Sequence, residues 1–442
     1  MSAASHTDSV DSSAPWTQGL PPEWSVNTLG NVVDVVGGST PSKENLSYWN
    51  GSIPWVSPKD MKRPVIWDSE DHVSDSALRS GSLRLVSPPA VLMVIRGMIL
   101  AHTVPIGLTA AEVTVNQDIK ALLPRSGLSA EFLAHLLRAL NPGLLARVGE
   151  AGHGTKALRT ELWRKLPIPI PPSGLQAKIV RFLDRKTAAI DALIAKKERL
   201  IELLQEKRQA LITHAVTKGL DPSVPMKESG IEWLGAIPAH WVARRLKQIA
   251  RRVVVGIAQA ATHAYVDDGI PIIRSTNLRA NRLELGDLLH IERGFADQLR
   301  SKYIRPGDLL TVRTGNAGAT AVVPESLPLS QCFTMLITTL EAAHCPQFFS
   351  YQLNSHAVAT YFEAESWGTA QANISVPILQ NAPVAVPPPA EQKEILARIQ
   401  VALEAVERPL AHACKQVDLL REYRQSLITA AVTGKLEIPP EE

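Results

Sequence analysis

Basic and amide side chains in turns are the residues of this sequence best placed for chemistry with a ligand. In the first half they are Lys43, Lys59, Lys62, Arg63, Arg96 and Lys156. In the second half they are Arg274, Asn277, Arg279, Arg313, Asn316, Gln371 and Asn373. Arginine and lysine pair with guanine edges or phosphates, and asparagine and glutamine pair bidentately with adenine, so the set suits reading of double-stranded DNA. Loops carried on a rigid globule are the usual place for such contacts. The bland alternative for each is a solvated turn residue. Lys178, Arg181, Arg185 and Lys186 form a further basic group that either touches phosphates or is the wet face of a helix.

Residues for bond-making chemistry are missing. There is no G-x-x-x-x-G-K-[ST] phosphate loop. The string Asn141-Pro142-Gly143 lacks the second proline and the aromatic of an adenine-methylating motif. His344 and Cys345 with Cys332 are too sparse for zinc, and no histidine accompanies a nucleophile motif. The expectation is a chain with no catalytic residue and no metal ligand.

At 442 residues the chain exceeds one ordinary core and fits two to four domains. With 45% hydrophobic and 20% charged residues it can fold as a globular protein. A net charge of +3 is too small to argue for nucleic acid by itself, so the case rests on where the charges sit. The odd, scattered set Cys332, Cys345 and Cys414 argues against a disulfide framework and for a reducing cytoplasm. The polar start, 1–19, reads as disordered and not as a signal peptide. No apolar run is long enough to span a membrane.

The elements that must position the basic and amide residues are written twice. RQALITHAVTKGL (208–220) and RQSLITAAVTGKL (424–436) agree at nine of thirteen positions at an offset of 216. IPIPPSGLQAKI (168–179) faces VAVPPPAEQKEI (384–395) at the same offset. LPPEW (20–24) faces IPAHW (237–241), and IPWVSPKDMK (53–62) faces IPIIRSTNLR (270–279), at 217. GHGTKA (152–157) faces WGTAQA (367–372) near 214. A register held across the chain is a tandem duplication. The helical ends stay alike while the stretch from Ile53 diverges from its twin, as expected of one scaffold carrying two different reading heads.

Residues 175–216 and 391–432 lack glycine and favour helix. Mostly apolar positions recur at alternating steps of four and three, the seam of a coiled coil, with Thr187, Lys197, Arg208 and Arg424 as its polar members. The seam runs through Leu183, Ile190, Ile194, Ile201, Leu204 and Leu211 in one segment. In the other it runs through Ile399, Leu403, Val406, Leu410, Val417, Leu420 and Leu427. Leu193, Leu200 and Leu203 beside it are expected to widen the buried stripe. Ser173 and Gln176 read as a capping box, Pro389 as a first-turn proline, and Pro409 as a kink. Each helix of about 42 residues would be about 60 Å long, roughly 18 base pairs of duplex. Packed antiparallel, the pair would act as a ruler between the heads; the bland alternative is an ordinary dimerisation coil, and the duplication favours the ruler because both partners are present in one chain.

The remaining texture is short β-type runs (NVVDVV, AVLMVI, PIIRS, LLTVRT, TMLITTL) broken by glycine and proline, with helix-like 131–140 and 347–356 late in each half. ARRLKQIARR (243–252) reads as a charged helix. The fold class expected is mixed α/β: two globular recognition domains, 20–172 and 237–388, and two long antiparallel helices, 173–218 and 389–436. A linker covers 219–236 and a tail 437–442.

This layout resembles the specificity subunits of type I restriction-modification systems. The strings similar to that family are GGSTPSKENLSYWNGSIPWVSPKDM (37–61), GTAQANIS (368–375), PPPAEQKEI (387–395) and the two ALITHAVTKG/SLITAAVTGK tails. The chain departs from it where GLQ (174–176) replaces AEQ, where the second head lacks the TPS…YWNG string, and at GHGTKALRT (152–160). The resemblance implies a non-catalytic, cytoplasmic DNA-binding subunit that docks two methylating subunits and restriction-translocation subunits. It implies that each head reads one half of a split, asymmetric target, with adenine N6 as the methylated atom. S-adenosylmethionine, ATP and magnesium would then belong to the partner subunits, with no cofactor in this chain. The competing readings are a stand-alone nuclease with a dispersed active site and a coiled-coil scaffold without DNA specificity.

Overall fold

The computed structural model describes residues 14–151, 154–258, 262–366 and 373–440. It divides into two compact units. One is formed by residues up to Lys197 together with those from Lys415 onward, and the other by Glu198–Cys414. Each unit holds one mixed α/β head, the start of one long helix and the end of the other. No described helix is long and apolar enough to cross a membrane.

In the first unit, β-branched and leucine-rich runs build a five-stranded sheet. Its order is Val33–Gly37, Ile119–Pro124, Val91–Val94, Ile106–Thr109, Val65–Ile66. In the second unit the order is Ala250–Val255, Leu336–Leu340, Leu309–Thr311, Thr320–Val322. The registers coincide at an offset of 217. Val36 and Leu92 both stand opposite Ala121, and Val253 and Leu309 both stand opposite Thr338. Divergent sequences keep this register because slipping a strand by one residue would turn its apolar face to water. The helices Ala130–Ala139 and Pro346–Leu353 cover these sheets with Phe132, Leu136, Phe348 and Phe349, all fully buried.

Each head is closed by pairing its first strand with its last, Ser25–Thr28 with Pro167–Ile170 and Val242–Arg245 with Pro383–Val386. The prolines in these strands cost little because each strand has one neighbour only. Before each first strand the chain turns through P-x-x-W, with Trp24 N–H donating to Pro21 O at 3.0 Å and Trp241 N–H to Pro238 O at 2.9 Å. ARRLKQIARR, expected to be helical, is strand Val242–Arg245, a short 3-10 turn Leu246–Gln248, and strand Ala250–Val255. Only Leu246 and Ile249 point inward there, too few to fix an amphipathic helix against a core.

The first long helix spans Ser173–Lys218 and the second Pro389–Val432. In the first unit Leu183 and Ile190 share a core with Leu427, Ile428, Ala431 and Val432, and Ile194 and Leu420 pack half-buried against it. Arg424 bridges to Asp191 there at 2.7 Å. In the second unit Ile212, Ala215 and Val216 share a core with Ile395, Ile399 and Leu403, and Arg208 bridges to Glu407 at 3.4 Å. Within each unit the start of one helix therefore packs against the end of the other, which is antiparallel pairing. Val406 and Val417 are buried; Ile201, Leu204 and Leu410 are half-buried.

Several details differ from the sequence expectation. Leu211 is 37% exposed and its neighbour Ile212, at 1%, takes the inward place. A straight helix drifts about 20° per heptad from a 3.5-residue seam, so the inward position moves by one residue over its length. Leu193, Leu200 and Leu203 are exposed, because one packed helix covers a stripe too narrow to reach them. Pro409 does lie inside the second helix, as the sequence expects, and the helix runs on past it. Gln176 forms no capping box. It is buried, its Oε1 accepts from Ser129 N–H at 2.8 Å, and its Nε2 donates to Gly127 O and Pro171 O. Gln392 repeats this, accepting from Cys345 N–H at 2.9 Å and donating to Pro387 O at 2.9 Å.

Candidate nucleic-acid interface

In the first head, core strand Val91–Val94 runs out into a loop that is stitched to a hairpin of Val148–Glu150 and Lys156–Leu158. Ile95 O accepts from Leu158 N–H at 2.8 Å, Arg96 bridges Ala157, and Gly97 N–H donates to Lys156 O at 3.0 Å. Gly97 has φ +137, which a side chain would resist. The chain then makes a 3-10 turn, Met98–Ala101, anchored by buried Leu100. Arg96 and Lys156, far apart in sequence, are thus brought together. Arg96 is exposed, while Lys156 pairs with Glu150 at 2.7 Å and holds that carboxyl below its usual range. Sequence reasoning missed the next two residues. Met98 is 66% and Ile99 41% exposed on this loop, and in sequence they look like core.

A second loop group in the first head is fixed by two indoles. Trp49 Nε1 donates to Ser42 O at 3.1 Å and Trp55 Nε1 to Ser39 O at 3.0 Å, with the rings edge-to-face at 5.2 Å. The S-T-P-S-K string is held by these bonds, and Lys43 projects from it exposed. Lys59 sits on the 3-10 turn Pro58–Asp60, where Asp60 caps Ser57 through both its N–H and its hydroxyl at 2.8 Å. Its ammonium meets Asp71 at 2.9 Å and Glu70 at 3.1 Å, and bonds from Asp71 and then Glu70 raise its pKa above the ordinary lysine value. That charge is already matched. Lys62 and Arg63, just beyond, are exposed.

The second head repeats the first loop. Arg313 O accepts from Ile374 N–H at 2.9 Å, and Thr314 bridges Asn373. Arg313 Nε donates to Ile374 O at 3.3 Å. Gly315 follows with φ +83, then exposed Asn316. Gly318 closes the loop where a Cβ would stand 2.7 Å from the Phe362 ring. Arg313, Asn316 and Asn373 are therefore gathered on one loop pair. Gln371 lies outside the described residues.

The remaining group has a different character. Asn277 is 6% exposed; its Oδ1 accepts from Arg274 N–H at 3.1 Å and its Nδ2 donates to Asp287 O at 3.3 Å. Its amide is occupied within the turn. Arg279 donates to Thr276 O and Leu278 O and pairs with Glu284 at 3.6 Å. Arg274 is half-buried, and its Nε is buried without a hydrogen-bond partner among the described residues. No group of metal-binding side chains occurs among the described residues.

Comparison with known proteins places these loops in context. Residues 21–203 and 238–408 match the family described as type I restriction modification DNA specificity domain. Over 186 residues the chain is 32% identical to the type I restriction enzyme EcoR124I/EcoR124II specificity subunit of Escherichia coli, covering 42% of this chain and 46% of that protein. Over 434 residues it is 23% identical to the MjaIX specificity subunit of Methanocaldococcus jannaschii, covering 95% of each. Among solved structures, a chain from work on complex assembly and conformational transition of the type I R-M system superposes with a TM-score of 0.69 at 16% identity. That superposition covers 94% of this chain and 99% of the other.

Proposed function

The chain belongs to the type I restriction-modification DNA specificity family, and on that footing we propose that its two heads each read one half of a split, asymmetric duplex target. One observation carries this reading. The same loop and the same bridge recur in both heads, with Arg96 and Lys156 on one and Arg313, Asn316 and Asn373 on the other. A shared frame with unlike side chains is what two readers of different sequences need.

The long helices hold the unread spacing between half-sites. They also dock two methylating subunits, which modify adenine at N6, and through them the restriction-translocation subunits. The leucines left exposed on the first helix, Leu193, Leu200 and Leu203, support a protein partner there, since exposed apolar residues at helical spacing suit a docked helix. The chain does no chemistry itself; S-adenosylmethionine, ATP and magnesium are bound by the partners.

The test is an exchange of residues 20–170 for the corresponding head of a relative, with the modified sites mapped in host DNA. One half-site changes and the other stays. A change in both half-sites defeats the two-reader proposal. Binding also weakens steeply with salt, because phosphate contacts release counterions.

A further inference from the structure

The loop bonds give a residue-by-residue correspondence between the heads, each taken on its own internal geometry. Ile95 O and Arg313 O accept the equivalent N–H groups of Leu158 and Ile374. Arg96 and Thr314 make the equivalent bridges to Ala157 and Asn373. A glycine of positive φ follows in each, Gly97 and Gly315. Met98 and Asn316 then occupy the same loop position, and both are exposed.

We propose that Met98 and Ile99 are specificity-determining residues that contact thymine 5-methyl groups in the half-site read by the first head. The proposal rests on the reading of the heads as DNA readers. Asn316 suits a base edge in the major groove, where its amide can pair with adenine. The shared bonds, one residue on from the 217 offset of the strands, put Met98 at the position of Asn316, and from there Met98 reaches a base edge too. The distinguishing apolar group on a major-groove edge is the thymine methyl. Met98 is unbranched and polarisable and follows an uneven surface, while Ile99 adds a fixed branched face.

The 3-10 turn holds both in place. Leu100 is 2% exposed and acts as its anchor, and Leu100 N–H donates to Gly97 O at 3.2 Å and His102 N–H to Ile99 O at 3.0 Å. Two large apolar side chains projecting from so constrained a turn gain nothing for the core. Arg96 beside them supplies a cation for guanine or phosphate. An intercalating wedge is the rival use of exposed methionine and isoleucine. The short amide at the matching position in the second head fits a groove edge and not a base stack, which favours methyl contact.

The experiment begins with selection of randomised duplexes by the purified full chain. Failure to select any motif counts against the DNA-reading proposal and not against this assignment alone. With a motif in hand, the first half-site is the one altered by exchange of residues 20–170. Thymines there are replaced one at a time by uracil, which removes only the methyl. Loss of one buried methyl corresponds to about a fourfold weaker binding. That loss is expected at one or more thymines for the parent chain and disappears in the Met98→Ala, Ile99→Ala double variant. Met98→Asn alters the preferred base at one position of the first half-site and leaves the second unchanged. A first half-site without thymine, or uracil bound as tightly as thymine throughout, overturns the proposal on the parent chain alone. Equal uracil losses in parent and variant overturn it as well.

Discussion

The indole of Trp241 donates to the carboxylate of Glu391, Nε1 to Oε1 at 3.0 Å, while Oε2 of the same carboxylate meets His240 Nε2 at 2.8 Å. The glutamine after it, Gln392, ties the start of the second helix to Cys345. In the other unit Leu175 precedes the matching Gln176, and Trp24 Nε1 is buried without a hydrogen-bond partner among the described residues. The replacement of AEQ by GLQ thus leaves an indole N–H unpaired. Glu391→Leu should reproduce that state in the second unit and lower stability by about 1–3 kcal/mol, the usual cost of orphaning a buried donor. Glu391→Gln keeps an acceptor and should lose less. Chemical denaturation of the full chain followed by tryptophan fluorescence measures both.

Gln176 and Gln392 each satisfy backbone groups at the entry to a long helix that nothing else described satisfies in the same way. Gln176→Ala should cost about 1–3 kcal/mol, because buried backbone groups lose their partner. The expected readout is a lower denaturation midpoint with an unchanged slope. A neutral result would mean that water replaces the amide.

Lys59 and Arg63 are near neighbours with opposite expectations. Lys59 already faces two carboxylates, so Lys59→Ala should change DNA affinity little. Arg63 is exposed, and Arg63→Ala should weaken binding to all sequences and reduce the slope of log affinity against log salt by about 0.9 if one phosphate contact is lost. Fluorescence anisotropy at several salt concentrations separates the two.

The cysteines should differ sharply in reactivity. Cys332 is fully buried, and burial pushes its thiol up to about 12, with Asp308 adding to the effect. Cys414 is exposed. Alkylation needs thiolate, so native chain at neutral pH should be labelled at Cys414 and spared at Cys332, as peptide mass spectrometry would show. The folded thiol holds its proton over a range where the unfolded thiol has lost it. Its contribution to stability is therefore complete below the ordinary thiol value of 9.0 and is lost as pH climbs towards about 12.

The duplication and the mixed α/β class were legible because they depend on many residues at once. A constant offset and an alternating four-three spacing survive local error. What a single side chain does was not legible, because its neighbours come from distant segments. Lys59 reads as a free cation until Glu70 and Asp71 fold beside it. Asn277 reads as a base-reading amide until the turn consumes it. Met98 and Ile99 read as core because apolar residues usually are, and only the anchoring of Leu100 turns them outward. ARRLKQIARR misled for a related reason: charge and helix-forming composition spoke louder than the absence of an apolar stripe.

Packing of Leu427, Ile428, Ala431 and Val432 into the first core makes that unit discontinuous in sequence. The second unit is continuous from Glu198 to Cys414 and has all its core residues once that stretch has left the ribosome. The first unit, although begun earlier, has all its core residues only once Leu427, Ile428, Ala431 and Val432 are made. Domains are usually completed from the N-terminus; here the second unit has its whole stretch of chain before the first does. A chain cut before Leu427 should leave the apolar flank that these four residues cover open to attack, which limited proteolysis would show.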